Sequence, residues 1–281
     1  MDRREFLKKI SLAGVGASLL GTRAFKGLNT DALFAAEAPF DIAFAKGPDT
    51  AKTVTAAIDA VGGMRKFVSQ GDVVMIKPNL GWARTPAQAA NTDPIVLKTV
   101  VELCLDAGAK KVKITDNTCN DPRKTFMLSG ADAVAKETGA DLFYTEDRFF
   151  KDMDVGGDVL KHWPVNREII EADKLINIPV AKHHSLSKLT IGMKNWFGAV
   201  GGARNRLHQN IDGTIADLAR FFKPTLTVVD AVRILLRNGP TGGNTGDVRT
   251  CNTVIASIDP VAADSWASTL FGMTGADLGY V

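Results

Sequence analysis

Cysteine is scarce: Cys104, Cys119 and Cys251 are the only three in 281 residues, they lie far apart, and no Cys-x-x-Cys occurs. Neither a zinc knuckle nor a cysteine-ligated iron–sulfur cluster is encoded. Aromatic residues make up 7% and no basic block interleaves with them, which argues against nucleic acid as a partner. No strand leads into Gly-x-Gly-x-x-Gly, and no Gly-Lys-Ser/Thr follows the glycine-rich stretch from Asn238 to Gly243, so the usual nucleotide cradles are missing. Gly-x-Ser-x-Gly and His-Glu-x-x-His are absent as well. No apolar run is long enough for a stable membrane span. What remains is a chain with 45% hydrophobic and 23% charged residues and a formal net charge of +3, enough for one large or two small globular domains.

The first 38 residues read as a targeting segment. Charged residues 2–9 precede a short, glycine-softened apolar run from Ile10 to Gly21, and small residues cluster at Ala35, Ala36 and Ala38. Arg3-Arg4 followed by Phe6, Leu7 and Lys8 is similar to a twin-arginine signal. That predicts a periplasmic protein delivered by the twin-arginine export machinery, with the fold beginning near residue 39.

From there the chain alternates between short β-branched runs and segments of helical period. Strands are predicted at 40–45, 72–76, 111–115, 141–144, 175–181, 225–229 and 254–258, and helices at 50–68, 93–107, 125–138, 211–221 and 261–271. Asp93-Pro94 is the clearest helix start, a capping residue followed by proline at the first position. The alternation predicts an α/β fold, a mostly parallel sheet with helices on both faces. Residues 146–170 break the rhythm and predict a hairpin or small subdomain, with a boundary between two lobes around a cleft. The sequence stops at Val281 without a closing element, as a truncated chain would.

The uncommon polar residues follow predicted strands. Lys77 and Asn79, Asp116 and Asn117, Lys182 with His183 and His184, Asp230, and Asp259 all stand just past an apolar run. If the strands are parallel, these residues share one sheet edge, where ligands of α/β proteins bind. Turn formation explains Asp and Asn at such places equally well. The segment from Lys182 to His208 stands out. It holds three of the four histidines, His183, His184 and His208, with Lys188, Lys194, Arg204 and Arg206 and no acidic residue. Histidine moves protons near neutrality or ligates metal. Lysine binds anions, or becomes a nucleophile where burial lowers its pKa. Arginine suits carboxylates and phosphates. In an extended strand His183 and His184 point to opposite sides, so one of them faces the site.

Several segments resemble the DUF362 family: Lys77-Pro78-Asn79, Asp106-Ala107-Gly108-Ala109, Lys182-x-His184, Thr190-x-x-x-Lys194-Asn195-x-x-Gly198, the stretch from Arg204 to His208, Lys223-Pro224 and Asn238-Gly239-Pro240. Some members of that family carry iron–sulfur modules, whose cysteines this chain lacks. A fainter similarity, to the nickel-pincer lactate racemases, runs through Arg84-Thr85-Pro86, His184, Lys194, Gly198 and His208. It implies Lys194 as a cofactor tether, His208 as a nickel ligand, His184 as an acid/base and Arg84 as an anion clamp. No residue separates Arg84 from Thr85 as that family requires, and Asp116 stands near where it has a histidine.

Together these readings predict an exported enzyme that binds a metal or other cofactor and acts on a small anion by proton or hydride transfer or redox. His184, Lys194 and Asp116 are its catalytic candidates. Lys77, Asn79, Arg84, Thr85, Lys182, Asn195 and Arg204 are candidates to bind substrate. His208, His183 and Asp230 are candidates to bind metal, with nickel or iron as the cofactor metals that suit them. A non-catalytic periplasmic protein that binds metal or anions, or serves maturation, remains the alternative, as does a structural partner in an exported complex.

Overall fold

A computed structural model describes residues 40–281; the predicted targeting segment lies outside the described residues. The short β-branched runs do form strands, and the register alternates as a two-sided sheet requires. In β2 (Val73–Pro78), Val74 and Ile76 face one layer of helices and Met75 the other. On the first face lie α1 (Thr50–Ala60), α2 (Pro94–Asp106) and the paired helices α3 (Pro122–Ser129) and α4 (Ala131–Thr138). On the second lie α5 (Arg167–Ile170), α6 (Ile211–Phe221) and α7 (Pro260–Ser268).

The remaining strands are β1 (Ile42–Lys46), β3 (Lys111–Ile114), β4 (Asp141–Leu142), the hairpin β5 (Phe150–Asp154) and β6 (His162–Asn166), then β7 (Lys174–Ile178), β8 (Val180–His184), β9 (Lys188–Thr190), β10 (Leu226–Leu235) and β11 (Val248–Ser257). The main sheet has nine strands in the order β1-β11-β10-β7-β2-β3-β4. β8 takes over from β7 beside the far half of β10, and β9 folds back on β8. From β10 to β4 every neighbour on that path is parallel; β1, β11 and β10 pair antiparallel. The sheet is therefore mostly parallel with helices on both faces.

Local chemistry explains where elements stop. Asp93 caps α2, its carboxylate accepting from the Ile95 N–H at 2.8 Å with Pro94 first in the helix. The single helix predicted over 125–138 is two, broken at Gly130, whose φ of 84° is left-handed. The strand predicted over 175–181 is also two, interrupted at Pro179, which has no N–H to give to a ladder.

Three expectations are corrected. Residues 146–170 hold the predicted hairpin, but they do not divide two lobes: the described residues 40–281 fall in one compact unit. Val155, Leu160, Val165 and Ile169 from this stretch bury in the same core as Trp196 and Leu218. Asp259 does not join the site edge, because β11 runs antiparallel and carries it to the opposite end, where it caps α7 through the Val261 and Ala262 N–H groups. Asp230 does not follow a strand. β10 runs on to Leu235, leaving Asp230 inside it and 1% exposed.

Candidate functional site

The parallel strands β2, β3 and the β7–β8 pair bring the residues at and just past their carboxyl ends to one edge of the sheet. There Lys77, Asp116, Asn195, Asn79 and Lys182 form one buried polar network. Lys77 Nζ lies 2.8 Å from Asp116 Oδ1 and donates to the Pro78 carbonyl at 2.6 Å and to Asn195 Oδ1 at 3.3 Å. Asp116 Oδ2 accepts from the Leu80 N–H at 2.5 Å. Asn79 donates to Asn195 Oδ1 and accepts from Lys182 Nζ, each at 3.0 Å. Lys182 Nζ also donates to the Ala90 carbonyl at 2.6 Å. Asn195 donates to Asn177 Oδ1 at 2.8 Å, and Asn177 in turn donates to the Gly192 carbonyl at 3.0 Å. A buried amide network of this kind rigidifies its surroundings when it is satisfied.

The segment after β9 closes over this network as two short 3₁₀ turns, Lys194–Ala199 and Arg204–His208. It can lie so close because position 198 is glycine. A Cβ there would stand 1.8 Å from Asp116 Oδ1 and 2.9 Å from Lys77 Nζ. The start of the segment is anchored from α7. The fully buried Asp264 accepts from the Gly192 N–H at 2.7 Å and the Met193 N–H at 3.1 Å. Burial pushes its pKa up to about 7, against the pull of those two N–H groups.

Lys194 sits at the centre, 6% exposed. Its Nζ lies 3.2 Å from the centroid of the Phe197 ring, and among the described residues it has no hydrogen-bond acceptor and no carboxylate. Burial holds its pKa well below that of a free lysine; Cys119 nearby opposes this, and the Lys182 and Arg204 charges reinforce it. Burial likewise takes Lys182 down to about 7, and lowers Lys77 against the opposing pull of Asp116.

The His184 and His208 rings stack at 6.1 Å, and Phe197 meets His208 edge-on at 5.2 Å. His184 Nδ1 accepts from the Leu186 and Ser187 N–H groups, at 3.1 and 3.3 Å. Its ring proton therefore sits on Nε2. Burial, then the Lys194 charge, brings its pKa down to about 3, so it is a neutral N–H donor at any ordinary pH. His208 is half-buried and is also lowered, first by burial and then by Lys194.

Of the thirteen candidates, Lys77, Asn79, Asp116, Lys182, His184, Lys194, Asn195, Arg204 and His208 come together here. Arg204 ties the site's walls rather than presenting free donors: it gives to the carbonyls of Asn117 at 2.6 Å, Thr118 at 2.7 Å and Phe197 at 3.3 Å. Four residues lie elsewhere. Thr85 is exposed and forms a capping box with Gln88. Arg84 leans on Gly243, its Nε buried without a partner. His183 faces away from His184 and accepts from the Gly239 N–H at 3.1 Å. Asp230 has its oxygens taken by the Asp93 and Val232 N–H groups, at 2.7 and 3.0 Å.

The metal set His183, His208 and Asp230 is thus not assembled, and no three His, Cys, Asp or Glu side chains converge among the described residues. His184 does not supply a metal-binding lone pair either, because Nδ1 is occupied and Nε2 bears the proton. The side chains present do not fit a metal held by the protein's own ligands. Sequence reasoning passed over three contributors. Cys119, set aside as one of three scattered cysteines, follows β3, donates its N–H to the Gly81 carbonyl at 2.8 Å and lies near enough to act on all three lysines. Asn177 looked like an ordinary strand residue. Asp264 looked like a helix residue, and only an acid amid Ala262, Ala263 and Trp266 hinted at burial.

A thylakoid-associated protein of Synechocystis sp. is 27% identical over 216 residues, which is 74% of this chain and 65% of that protein. Among solved structures, the lactate racemase apoprotein of Thermoanaerobacterium thermosaccharolyticum aligns over 81% of this chain and 56% of its own, at 12% identity and a TM-score of 0.49. A Thermotoga maritima protein from a structural-genomics programme aligns over 81% of this chain and 60% of its own, at 12% identity and a TM-score of 0.47. The model of a family described as a domain of unknown function matches residues 74–269, a stretch that takes in every member of the lysine network, and the chain belongs to that family, DUF362.

Proposed function

We propose that this protein is an enzyme that binds a small anion at the lysine-lined sheet edge and moves a proton on it. The observation that carries this is the charge balance. Lys77, Lys182 and Lys194 are buried beside Arg204, and the one carboxylate among them, Asp116, already faces Lys77. Buried cations without partners are costly, and a bound anion removes that cost. Lys194 and Lys182 would attract the anion, His184 Nε2–H would donate to its oxygen, and His208 would take or give the proton.

Isothermal titration with oxalate and with phosphate tests the anion site. Saturable binding that falls at least tenfold in Lys194→Met and weakens with added salt is expected. An absence of saturable binding for every small anion tried would end this proposal. Non-catalytic capture is the second reading, favoured by the polar atoms of Asn79 and Asn195 being spent on each other and on neighbours. Tight stoichiometric binding without turnover would select it.

Delivery to the periplasm by the twin-arginine route belongs to the same proposal and rests on Arg3-Arg4 with Phe6, Leu7 and Lys8. Cell fractionation of a variant with both arginines changed to lysine tests it; unchanged periplasmic yield would count against the route. Among the described residues no helix is long and apolar enough to cross a membrane.

A further inference from the structure

We infer that Lys194 is a carbonyl-trapping amine, which condenses with the aldehyde or ketone carbon of a small carboxylate held at the lysine cluster and so forms an imine. This rests on the anion site proposed above and names its substrate class.

The three buried lysines differ in a telling way. Lys77 has three acceptors for its three protons: Asp116 Oδ1, the Pro78 carbonyl and Asn195 Oδ1. Lys182 has two, Asn79 Oδ1 and the Ala90 carbonyl. Lys194 has none among the described residues, and a ring face stands where an acceptor would be expected. A structural ammonium is surrounded by oxygen, as Lys77 is; an amine that must offer a lone pair is not. The ring face offers the cation some attraction, while burial acts against it. Burial and the neighbouring Lys182 and Arg204 charges all disfavour the protonated form of Lys194, and a lysine shifted in that direction is the more nucleophilic.

The surroundings supply the other roles. Asp264 pins the Gly192 and Met193 N–H groups, fixing the backbone just before Lys194. His184, with its proton on Nε2, lies near enough for the Lys194 charge to act on it, and a neutral N–H is a donor suited to an oxygen that gains negative charge. In the reaction the Nζ lone pair forms a bond to the carbonyl carbon, and the carbonyl oxygen takes up a proton. The nitrogen loses its protons in stages, the C–O bond breaks, and one water leaves for each C=N bond formed. No oxidant or reductant is needed. A carboxylate next to the carbonyl would lie among the cations that remain: the third proton of a charged Lys182, and the uncompensated charge of Arg204.

The test uses the intact protein at pH 7 with glyoxylate and sodium cyanoborohydride, read by intact mass and peptide mapping, alongside calorimetric titration with oxalate. Oxalate is a similar anion without an aldehyde. The expected result is one carboxymethyl group on Lys194, suppressed by oxalate and absent in Lys194→Met. Because mapping places the label on the wild-type chain, the outcome does not depend on how the variant folds. Labelling of exposed lysines such as Lys52, with Lys194 unmodified, would overturn the inference. Oxalate binding with no adduct would overturn the imine and leave the anion site standing. Neither binding nor adduct would overturn both.

Discussion

Gly198→Ala is the sharpest test of how the site is assembled. The added Cβ would stand 1.8 Å from Asp116 Oδ1, where ordinary contact begins near 3.4 Å, so the carboxylate or the 3₁₀ turn must retreat by about 1.6 Å. Asp116 has nowhere cheap to go. Its Oδ1 is paired with Lys77 at 2.8 Å and its Oδ2 holds the Leu80 N–H at 2.5 Å, so either displacement parts the ion pair or strands the amide. Breaking a buried pair costs ~3–5 kcal/mol, and an unsatisfied buried N–H adds ~1–3 kcal/mol. Allowing for relaxation, a loss of about 4 kcal/mol is expected. Urea unfolding followed by circular dichroism measures it. Gly139→Ala is the control, a left-handed glycine with φ 75° and nothing within 4 Å of the added atom, for which roughly 1 kcal/mol is expected. If Gly198→Ala costs no more than the control, the turn does not rest on the ion pair and this account of the site's geometry fails.

Other expectations follow from the same contacts. Lys194→Met should raise stability by about 1–2 kcal/mol, because it removes a buried lysine whose charged form burial disfavours and which no oxygen faces among the described residues; a lower urea midpoint would contradict that. The pH profile of stability should have a minimum near 7. Asp230 and Asp264 are raised to about 7, so the folded state keeps protons the unfolded chain releases and stability falls as pH rises from 4 to 7, offset in part up to about pH 6.5 by His184, which is lowered to about 3 and holds its extra proton only when unfolded. Lys182 is lowered to about 7, so the unfolded chain binds the extra proton and stability climbs again toward pH 10. Urea midpoints between pH 5 and 9 check this, with each group contributing at most about 1.4 kcal/mol per pH unit; a midpoint that is flat or highest at pH 7 would contradict it. Asp217→Asn should cost ~1–3 kcal/mol, since the carboxylate accepts from the N–H groups of Asp158, Val159 and Leu160. Those bonds hold its pKa below the usual value, so the wild type should lose this contribution only as pH falls below about 4.

Period and punctuation made the sheet legible. The stretch DVVMI reads as a strand from its β-branched residues, though the strand runs on to Pro78, and Asp93-Pro94 and Asn210-Ile211 announce helices that begin where expected. The order of strands was not legible, because β11 and β10 differ from the parallel strands in no local property. Their antiparallel pairing is decided by which edges remain open when the chain returns. Asp230 shows the consequence. An apolar run ending in Asp looks like a strand end, yet β10 continues, and the acid is spent on the Asp93 and Val232 N–H groups. Composition did single out the segment: a stretch with histidines, lysines and glycines and no acid is unusual, and nine of the thirteen candidates lie together in space. The roles within it were hidden. Arg204 and Asn195 have the residue types of ligand binders but direct their donors at carbonyls and amides of the protein itself.

That division of roles explains why the site needs so much polar material for so little free chemistry. Three lysines cannot be buried side by side without compensation, and the protein compensates them unequally. Asp116 and the Asn79–Asn195 pair satisfy Lys77 and most of Lys182, and Gly198 lets the covering turn come down onto that platform. The cost is then concentrated on one residue. Lys194 lies on Phe197, and Asp264 holds the backbone just before it through the Gly192 and Met193 N–H groups. An arrangement selected for stability alone would place a leucine or methionine at position 194. A lysine kept at such a cost is what the proposed anion site would require, and the stability of Lys194→Met measures that cost.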